Sequence, residues 1–252
     1  MLNELQNFET ASLEDCGKIA FQNRFDTKFV LKIGGVLDFL RSIPQNYSLL
    51  SVADSKIQNY NTIYFDTPDL LCFNMHKNRR ANRFKFRTRQ YLSNGKIYNE
   101  IKKKLNTGKT LKFRQKREVF SQSFDAEFAE FLKTNGLEII PLISPFSVEF
   151  SRIALLNKQY PERITVDFGI KYATASQKIL LSDTAIVEIK RERNAVRSFS
   201  QEYFRSKHIL PSGFSKYCIG ICLTDDGDNP QSVKKNLFLP KIKNLLVERE
   251  ML

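Results

Sequence analysis

Charged and apolar residues alternate along several short runs of the chain, and this period of two is typical of β-strands. Three runs follow one another closely, separated by the turn sequences Ser93-Asn94-Gly95 and Asn106-Thr107-Gly108, which predicts antiparallel hairpins. The predicted strands cover residues 23–32, 60–65, 83–91, 96–105, 110–120, 146–155, 163–172 and 184–191.

Apolar residues recur at helical spacing in other stretches, which predict short helices. Pro44 ends the first helix, Asp66 or Thr67 can cap the second, and Gly136 follows the third. The predicted helices cover residues 33–43, 67–77, 124–135 and 198–208. We therefore expect an α+β fold in which helices flank an antiparallel β-barrel.

No internal repeat, low-complexity linker or break in composition divides the chain. We predict one domain at residues 1–225 and a C-terminal tail at residues 226–252. The sequence has no signal-peptide start and no apolar run near the roughly 18 residues of a membrane helix. We expect a cytoplasmic protein with no membrane span.

The overall charge narrows the class of partner. The 252 residues carry a formal net charge of +13, which favours acidic partners over neutral ones. Nucleic acid, an anionic membrane, a nucleotide and polyphosphate all satisfy this charge, so the arrangement of the basic residues has to separate them.

The basic residues concentrate in one stretch. Between Arg79 and Arg117 there are fifteen Lys and Arg against one acid, Glu100. Strand alternation places the basic residues of each predicted strand on one face, opposite Phe84, Phe86 and other apolar residues. Like charges that face each other across a sheet are destabilising unless an anion binds. The alternative is a solvated face, where charges are usually mixed in sign, so we favour phosphate binding.

Two carboxylates lie within strands that otherwise resemble buried ones. Asp167 and Glu188 are each candidates for an ion pair with a nearby Lys or Arg, or for a ligand of Mg²⁺ or Mn²⁺, which take carboxylate oxygens and bridge to phosphates. Beside a phosphate-binding face the metal role has a specific use. Glu188 is the stronger candidate.

Several familiar motifs are absent or broken. Gly108-Lys109-Thr110 resembles the end of a P-loop, but Lys103 stands where the first glycine belongs. The four cysteines form no C-x-x-C pair and lie far from both histidines, so we do not expect a zinc site. No arrangement for covalent catalysis is visible either.

Eight short motifs occur in a fixed order: Arg24-x-Asp26-x-Lys28, Tyr64-Phe65-Asp66, Phe86-Arg87-x-Arg89, Glu100-Ile101-Lys102, Phe150-x-Arg152, Arg163-x-Thr165-x-Asp167, Glu188-x-Lys190 and Phe214-Ser215-Lys216-Tyr217. Together they resemble a VTC domain, the polyphosphate polymerase module of the vacuolar transporter chaperone family, over residues 20–223. Asp26 stands where a glutamate is more usual in the family, and Phe150 where a tyrosine would offer a hydroxyl group.

The resemblance implies the triphosphate tunnel fold, an antiparallel barrel with a basic lumen and a metal-binding glutamate. It implies that Glu188 holds Mn²⁺ or Mg²⁺. The catalytic contacts to phosphate that it implies are Arg87, Arg89, Lys102, Arg152 and Lys190. The substrate-binding residues that it implies are Lys28, Arg114, Lys116, Ser215 and Lys216.

The implied function is a metal-dependent polyphosphate polymerase that passes the γ-phosphoryl group of ATP to a growing polyphosphate chain. ATP and polyphosphate are then the partners, and nucleic acid is not. Two alternatives remain open. One is a triphosphate hydrolase of the same fold, and the other is a non-catalytic module that binds polyphosphate or RNA.

Overall fold

The structure is a computed structural model that describes residues 2–19, 21, 24–138, 141–193, 197–225, 235 and 237–251. The helices within these residues are α1 Leu2–Leu5, α2 Leu13–Lys18, α3 Ile33–Ser42, α4 Leu71–Lys77, α5 Ala126–Thr134, α6 Phe199–Ser206, α7 Lys216–Thr224 and α8 Leu239–Ile242. The strands are β1 Thr10–Ala11, β2 Arg24–Leu31, β3 Tyr47–Leu50, β4 Gln58–Asp66, β5 Arg83–Tyr91, β6 Ile97–Lys104, β7 Thr110–Arg117, β8 Ile143–Asn157, β9 Glu162–Ala173, β10 Gln177–Leu181, β11 Ala185–Glu192 and β12 Val247–Met251.

The strands belong to one twelve-stranded sheet. Its main path follows the order β12-β10-β9-β8-β4-β5-β6-β7, while β11 pairs with β2 and β9, and β3 pairs with β1 and β8. The registers determined for these pairs are antiparallel except for the short parallel pair of β1 and β3. The predicted fold class, α+β with an antiparallel sheet and flanking helices, is confirmed.

The predicted turns and the Asp66 cap are present, although α4 begins at Leu71 instead of residue 67, and Asp125 adds a cap that was not predicted. The Asp66 carboxylate accepts hydrogen bonds from the backbone N–H groups of Cys72 and Phe73, at 2.8 and 2.9 Å, and so caps α4. The Asp125 side chain accepts from the Phe128 N–H group at 2.9 Å and caps α5. Gly108, in the turn between β6 and β7, has a φ of 81°, which a glycine adopts without strain.

Some elements have no counterpart among the predictions, and their patterns explain why. Helix α7 is buried on all sides, from Tyr217 to Leu223, so it lacks the polar face that makes a helical period visible. Strands β3 and β10 have only four and five residues, too few for a clear alternation. The chain before residue 20, which shows little periodicity, contains α1, β1 and α2.

The chain divides into two compact units. The first unit consists of Met1–Asn59, Phe150–Ile170 and Leu181–Phe214. Its core lies between the apolar sides of β2, β9 and β11 and the helices α3 and α6. Phe29 stacks on Phe204 with ring centroids 4.1 Å apart, and Phe39 packs against the same ring. One face of β11 is therefore covered by helices, and the other is left for polar residues.

The second unit consists of Tyr60–Glu149, Lys171–Leu180 and Ser215–Leu252. Helix α5 packs on the apolar side of β4, β5 and β6 through Phe128, Phe131 and Leu132, which bury Phe86 and Ile101. This is the helix-on-sheet contact that alternation leads one to expect. It leaves the opposite side of β5, β6 and β7 to the basic residues.

The division into a domain and a tail stays a prediction. Of the predicted tail, residues 226–234, 236 and 252 lie outside the described residues. Within the tail, Arg249 of β12 donates to Gln177 at 2.7 Å and to the Leu223 carbonyl oxygen at 3.0 Å. Across the described ranges, we find no helix with the length and apolar character needed to span a membrane.

Candidate functional site

The first unit carries polar residues of both signs on the uncovered side of β2, β8, β9 and β11. We call this the mixed face. In the register of these strands Glu188 stands between Lys28 and Thr165, and Lys190 stands between Asp26 and Arg163. The mixed face consists of Asp26, Lys28, Arg152, Arg163, Thr165, Asp167, Glu188 and Lys190.

Glu188 is the centre of the mixed face. Its carboxylate lies 3.4 Å from Lys28 Nζ and 2.7 Å from Lys190 Nζ. Burial alone would raise the pKa of Glu188, but the charges of Lys190 and Lys28 outweigh it and hold the pKa well below its usual range. Glu188 is therefore an ionised carboxylate at neutral pH, as a metal ligand must be.

Arg152 and Asp167 form the second ion pair of the mixed face. Arg152 Nε lies 2.5 Å from Asp167 Oδ1, and Nη2 lies 2.8 Å from Oδ2, which is a bidentate pair. The guanidinium also lies over the Phe150 ring, 5.5 Å from its centroid. The pair and the ring together fix the plane of Arg152.

The second unit carries the basic residues on one side of β5, β6 and β7, which we call the cationic face. Four cross-strand rows form it, each with one residue from each strand. The rows are Arg83-Lys104-Thr110, Lys85-Lys102-Lys112, Arg87-Glu100-Arg114 and Arg89-Tyr98-Lys116. The alternation predicted from the sequence is thus present in three dimensions.

Glu100 is the single acid in these four rows and is 2% exposed. It accepts from Arg87 Nε at 2.6 Å, from Lys112 Nζ at 2.6 Å and from Arg114 Nε at 2.9 Å. Burial opposes its ionisation, but Arg87 and the other cations outweigh burial and lower the pKa of Glu100. The carboxylate therefore holds three cationic side chains in fixed positions.

Strand β4 adds two polar side chains next to the arginines of β5. Arg89 donates to Thr62 Oγ1 at 3.0 Å, and Tyr64 stands opposite Arg87 in the register. Burial would raise the pKa of Tyr64, but the charges of Arg87 and Arg89 outweigh it and lower the pKa. Tyr64 therefore lies beside the positive charges of the cationic face.

Ser215 and Lys216 lie at the start of α7. Ser215 Oγ accepts from Lys85 Nζ at 2.8 Å and from the Cys218 N–H group at 3.3 Å. The Tyr217 hydroxyl group donates to the buried Asp66 carboxylate. These bonds tie the start of α7 to β4 and β5 and place Ser215 at the second row of the cationic face.

The two basic residues of β7 that flank Arg114 differ in their surroundings. Lys112 bonds to Glu100, and burial, partly offset by that glutamate, lowers the pKa of Lys112 to about 8. Lys116 is 62% exposed and pairs with Glu118 at 2.9 Å. Lys112 was not among the residues that the family resemblance selected. In the hairpin of β6 and β7 that turns at Gly108, Lys112 stands opposite Lys102.

The structure thus places the predicted residues in two groups. Lys28, Arg152, Glu188 and Lys190 lie on the mixed face of the first unit. Arg87, Arg89, Lys102, Arg114, Lys116, Ser215 and Lys216 lie in the second unit. The residues selected by the family resemblance leave out Lys85 and Lys112, which alternation places on the cationic strands, and Thr62, which sequence reasoning missed. For Lys85 the signal was available, since it occupies the same alternating positions as Arg87 and Arg89.

The donor set fits a divalent cation only if substrate supplies most of the ligands. Among the residues that the structure describes, no three His, Cys, Asp or Glu side chains come close enough to form a metal centre. Mg²⁺ in phosphate-binding enzymes is commonly held by one or two carboxylates, with phosphate oxygens and water completing its shell. Glu188, ionised and within the mixed face, suits that arrangement.

Solved structures with similar chain paths share little sequence with this chain. An adenylate cyclase-like protein from Bacillus halodurans is 12% identical, with a TM-score of 0.47, over 77% of this chain and 94% of its own. An adenylyl cyclase-like protein from Hippeastrum, described as having a dominant triphosphatase activity, is 13% identical, with a TM-score of 0.43, over 77% and 93%. A conserved hypothetical protein from Pyrococcus furiosus is 14% identical, with a TM-score of 0.40, over 86% and 100%.

A search of the curated proteins finds no match. A sequence model of the VTC domain matches residues 23–224. These residues begin at the predicted first strand and end at the last residue of α7, so the match includes every predicted site residue on both faces. The match to this domain also supports a function on triphosphate or polyphosphate compounds. This agrees with the positive charge of the cationic face. The chain belongs to the VTC domain family.

Proposed function

We propose that this protein is a metal-dependent polyphosphate polymerase that uses ATP as phosphoryl donor. The observation that carries the proposal is the cationic face, where one buried glutamate organises Arg87, Lys112 and Arg114 at 2.6–2.9 Å. Arginine forks match phosphate oxygens in pairs. Family membership supports the phosphate class of substrate.

The side chains act by alignment and charge neutralisation. An oxygen of the terminal phosphate of the acceptor chain forms a bond to the γ-phosphorus of ATP, the bond from that phosphorus to the β–γ bridging oxygen breaks, and ADP leaves. No side-chain nucleophile takes part. Fixed positive charges stabilise the charge that spreads over the transferred group and the leaving group.

Residues of both faces have roles in this proposal. Arg87, Arg89 and Lys102 contact phosphate on the cationic face, and Arg114, Lys116, Ser215 and Lys216 add binding contacts. Lys28, Arg152 and Lys190 contact phosphate on the mixed face. Glu188 would hold Mn²⁺ or Mg²⁺, which would supply neutralisation of phosphate charge when bound.

The test is formation of acid-stable polyphosphate from ATP by the purified protein with Mn²⁺ or Mg²⁺. The variants Arg87→Ala and Glu188→Ala should each lower the synthesis rate by about a hundredfold or more, because each removes a charge that acts in the transition state. Lys103→Gln is the matched control, since Lys103 lies on the opposite side of β6 from Lys102 and should leave the rate within about twofold.

Three results would overturn the proposal in different ways. Release of orthophosphate with no chain growth would identify a triphosphate hydrolase. Binding of polyphosphate that survives Glu188→Ala, with no turnover of ATP, would identify a non-catalytic binding module. Synthesis that persists in Arg87→Ala would place the reaction away from the cationic face.

A further inference from the structure

One buried hydroxyl group on the mixed face makes no hydrogen bond within the part of the chain that the structure describes. Thr165, on β9, is 4% exposed, and its Oγ1 atom has no hydrogen-bond partner there. A buried hydroxyl group that stays unpaired costs free energy, because it has given up its bonds to water. Such a group therefore needs an explanation, and an ion that pairs with it is one.

Another acid of β9 shows that buried hydroxyl groups of the first unit can be fully paired. Glu162 is 1% exposed. It accepts hydrogen bonds from the Tyr47 hydroxyl group at 2.5 Å, from Ser198 Oγ at 2.5 Å and from Ser200 Oγ at 3.1 Å. Three buried hydroxyl groups thus share one carboxylate, whereas Thr165 has no such bond to the acid beside it.

That acid is Glu188, the carboxylate that the proposed function gives to the metal ion. Thr165 stands opposite Glu188 in the register of β9 and β11. Both side chains lie on the mixed face, because their neighbours Ile164 and Val166 turn into the core. Residues directly opposite each other in an antiparallel pair have Cβ atoms about 4.5–5.5 Å apart. An oxygen atom of each side chain can therefore reach one ion.

The chemistry of the two groups fits a hard divalent cation. Mg²⁺ and Mn²⁺ take oxygen ligands, and a serine or threonine hydroxyl group is a ligand of Mg²⁺ in other phosphate-binding proteins. Lys28 and Lys190 lie 3.4 and 2.7 Å from the Glu188 carboxylate. These lysines pair with the carboxylate and leave the hydroxyl group of Thr165 unpaired. A cation beside Glu188 would pair with both groups.

We infer that Thr165 supplies a second protein oxygen, next to that of Glu188, to the divalent cation of the site. A neutral oxygen adds a contact to the ion without adding a negative charge beside the phosphates. The hydroxyl group lowers the stability of the protein without the ion and strengthens binding of the ion. The inference rests on the proposed function in taking Glu188 as the carboxylate ligand.

The experiment compares Thr165→Val with the wild-type protein, because valine has nearly the shape of threonine and lacks the oxygen. Calorimetry measures the affinity for a non-hydrolysable ATP analogue, once in EDTA and once in excess Mn²⁺. The affinity of the variant should stay within about twofold in EDTA and fall by about tenfold or more in Mn²⁺, since a partner of a charged group is lost. Thr165→Ser keeps the oxygen and should stay within about threefold in both conditions.

Thermal unfolding without metal gives an independent readout. Thr165→Val should raise the melting temperature by about 2–4 °C, because it removes an unpaired hydroxyl group from the folded state. Thr88→Val is the matched control. The Thr88 hydroxyl group is also buried, but it donates to Asn99 Oδ1 at 2.8 Å. Its loss should lower the melting temperature and leave the effect of Mn²⁺ on affinity unchanged.

Three results would overturn the inference. The first is an unchanged affinity of Thr165→Val in Mn²⁺. The second is an equal loss in EDTA and in Mn²⁺, which would make Thr165 a contact for phosphate. The third is a melting temperature that falls as it does in Thr88→Val, which would give the hydroxyl group a structural role.

The same titrations separate this inference from the proposed function. If Mn²⁺ does not raise the affinity of the wild-type protein for the analogue, or if Glu188→Ala leaves that effect intact, the proposed function fails at its metal site and the inference fails with it. If Mn²⁺ acts through Glu188 but not through Thr165, only the inference fails.

Discussion

The mixed face of the first unit and the cationic face of the second unit treat charge in opposite ways. On the mixed face, Glu188 lies between two lysines and Arg152 has its own carboxylate, so these three basic side chains share two acids. On the cationic face, one buried carboxylate serves three basic side chains, and the other three rows contain no acid.

The difference in charge pairing indicates that the two faces respond differently to a bound ligand. A face whose charges are largely paired needs no ligand to balance them, and in the proposed function its ionised carboxylate, Glu188, would exchange a lysine for a metal ion. A face with excess positive charge carries repulsion that a polyanion relieves on binding. Glu100 neutralises part of this repulsion within the second unit, because it pairs with Arg87, Lys112 and Arg114. Changes to these acids therefore test the comparison most directly.

The largest effect on stability is expected for Glu100→Gln. The change leaves Arg87, Lys112 and Arg114 without their shared anion, and breaking a buried ion pair from one side costs about 3–5 kcal/mol. Because Arg114 and Lys112 remain 38% and 41% exposed, we expect a value near the lower limit. Urea unfolding measures the loss. Added triphosphate should recover part of the lost stability, because a ligand that binds the folded state stabilises it.

The dependence of the unfolding free energy on acid pH tests the ion pairs of Glu100 in a second way. Its lowered pKa means that Glu100 contributes stability that is present above the usual carboxyl pKa of 4.5 and is lost as pH falls below it. Glu100→Gln should therefore flatten the acid limb of the stability curve. Glu118→Gln, a change at an 84% exposed carboxylate, is the control and should stay within about 0.5 kcal/mol. An equal loss in both variants would contradict the role of Glu100.

Much of the fold was predictable because alternation is a local property of the chain. The three hairpin strands and their two turns follow from residues 83–120 alone, and the Asp66 cap follows from its position before α4. Helix α7 was not predictable in this way, because burial on all sides removes its period. Which strands become neighbours, such as β11 with β2, depends on contacts far apart in sequence, which local patterns do not encode.

The site was predictable in composition more than in arrangement. Alternation placed Arg87 and Arg89 on one side correctly. It did not show that Glu100 would be shared by three cations, because that sharing depends on the register of β6 against both of its neighbours. It also did not separate Lys112 from Lys116, which have the same phase on β7 but differ in burial.

A second prediction concerns the packing behind the start of α7. A methyl group at Gly220 would lie 2.6 Å from Phe146 Cε2 and 2.9 Å from Tyr172 Cε1, so the aromatic rings would have to move. We expect Gly220→Ala to cost about 1–3 kcal/mol of unfolding free energy. Gly17→Ala, on a helix with no atom within 4 Å of the new methyl group, should instead be neutral or stabilising by up to about 1 kcal/mol. A stable Gly220→Ala variant would show that α7 has room to shift.

A third prediction uses Lys112, the lysine of the cationic face that pairs with Glu100 and is 41% exposed. The pKa of Lys112 is lowered to about 8, so in the free protein this lysine loses its charge as pH rises through that value. Affinity for triphosphate should fall by about tenfold between about pH 7.5 and pH 9.5, as binding requires that proton. Calorimetry at constant ionic strength measures the fall.

Lys112→Arg is the control for this pH dependence, because arginine keeps its charge over the whole range. The variant should retain affinity at high pH and show a flatter profile, apart from titration of triphosphate itself, which both proteins share. A profile identical to that of the wild type would assign the fall to another group and would contradict the role of Lys112.

The smallest effect is expected at Lys116, which lies on the same side of β7 as Lys112 but is mostly exposed. Its partner Glu118 is also exposed, and such pairs contribute about 0–1 kcal/mol. Lys116→Gln should change triphosphate affinity by no more than about twofold at physiological salt, where exposed charges are screened beyond about 8 Å. Lys112→Gln, measured in parallel, should weaken binding about tenfold, because its charge acts beside Glu100 and is less screened. If Lys116→Gln weakens binding as much as Lys112→Gln does, exposure does not distinguish the two residues, and the whole cationic face binds phosphate as a uniform charged surface.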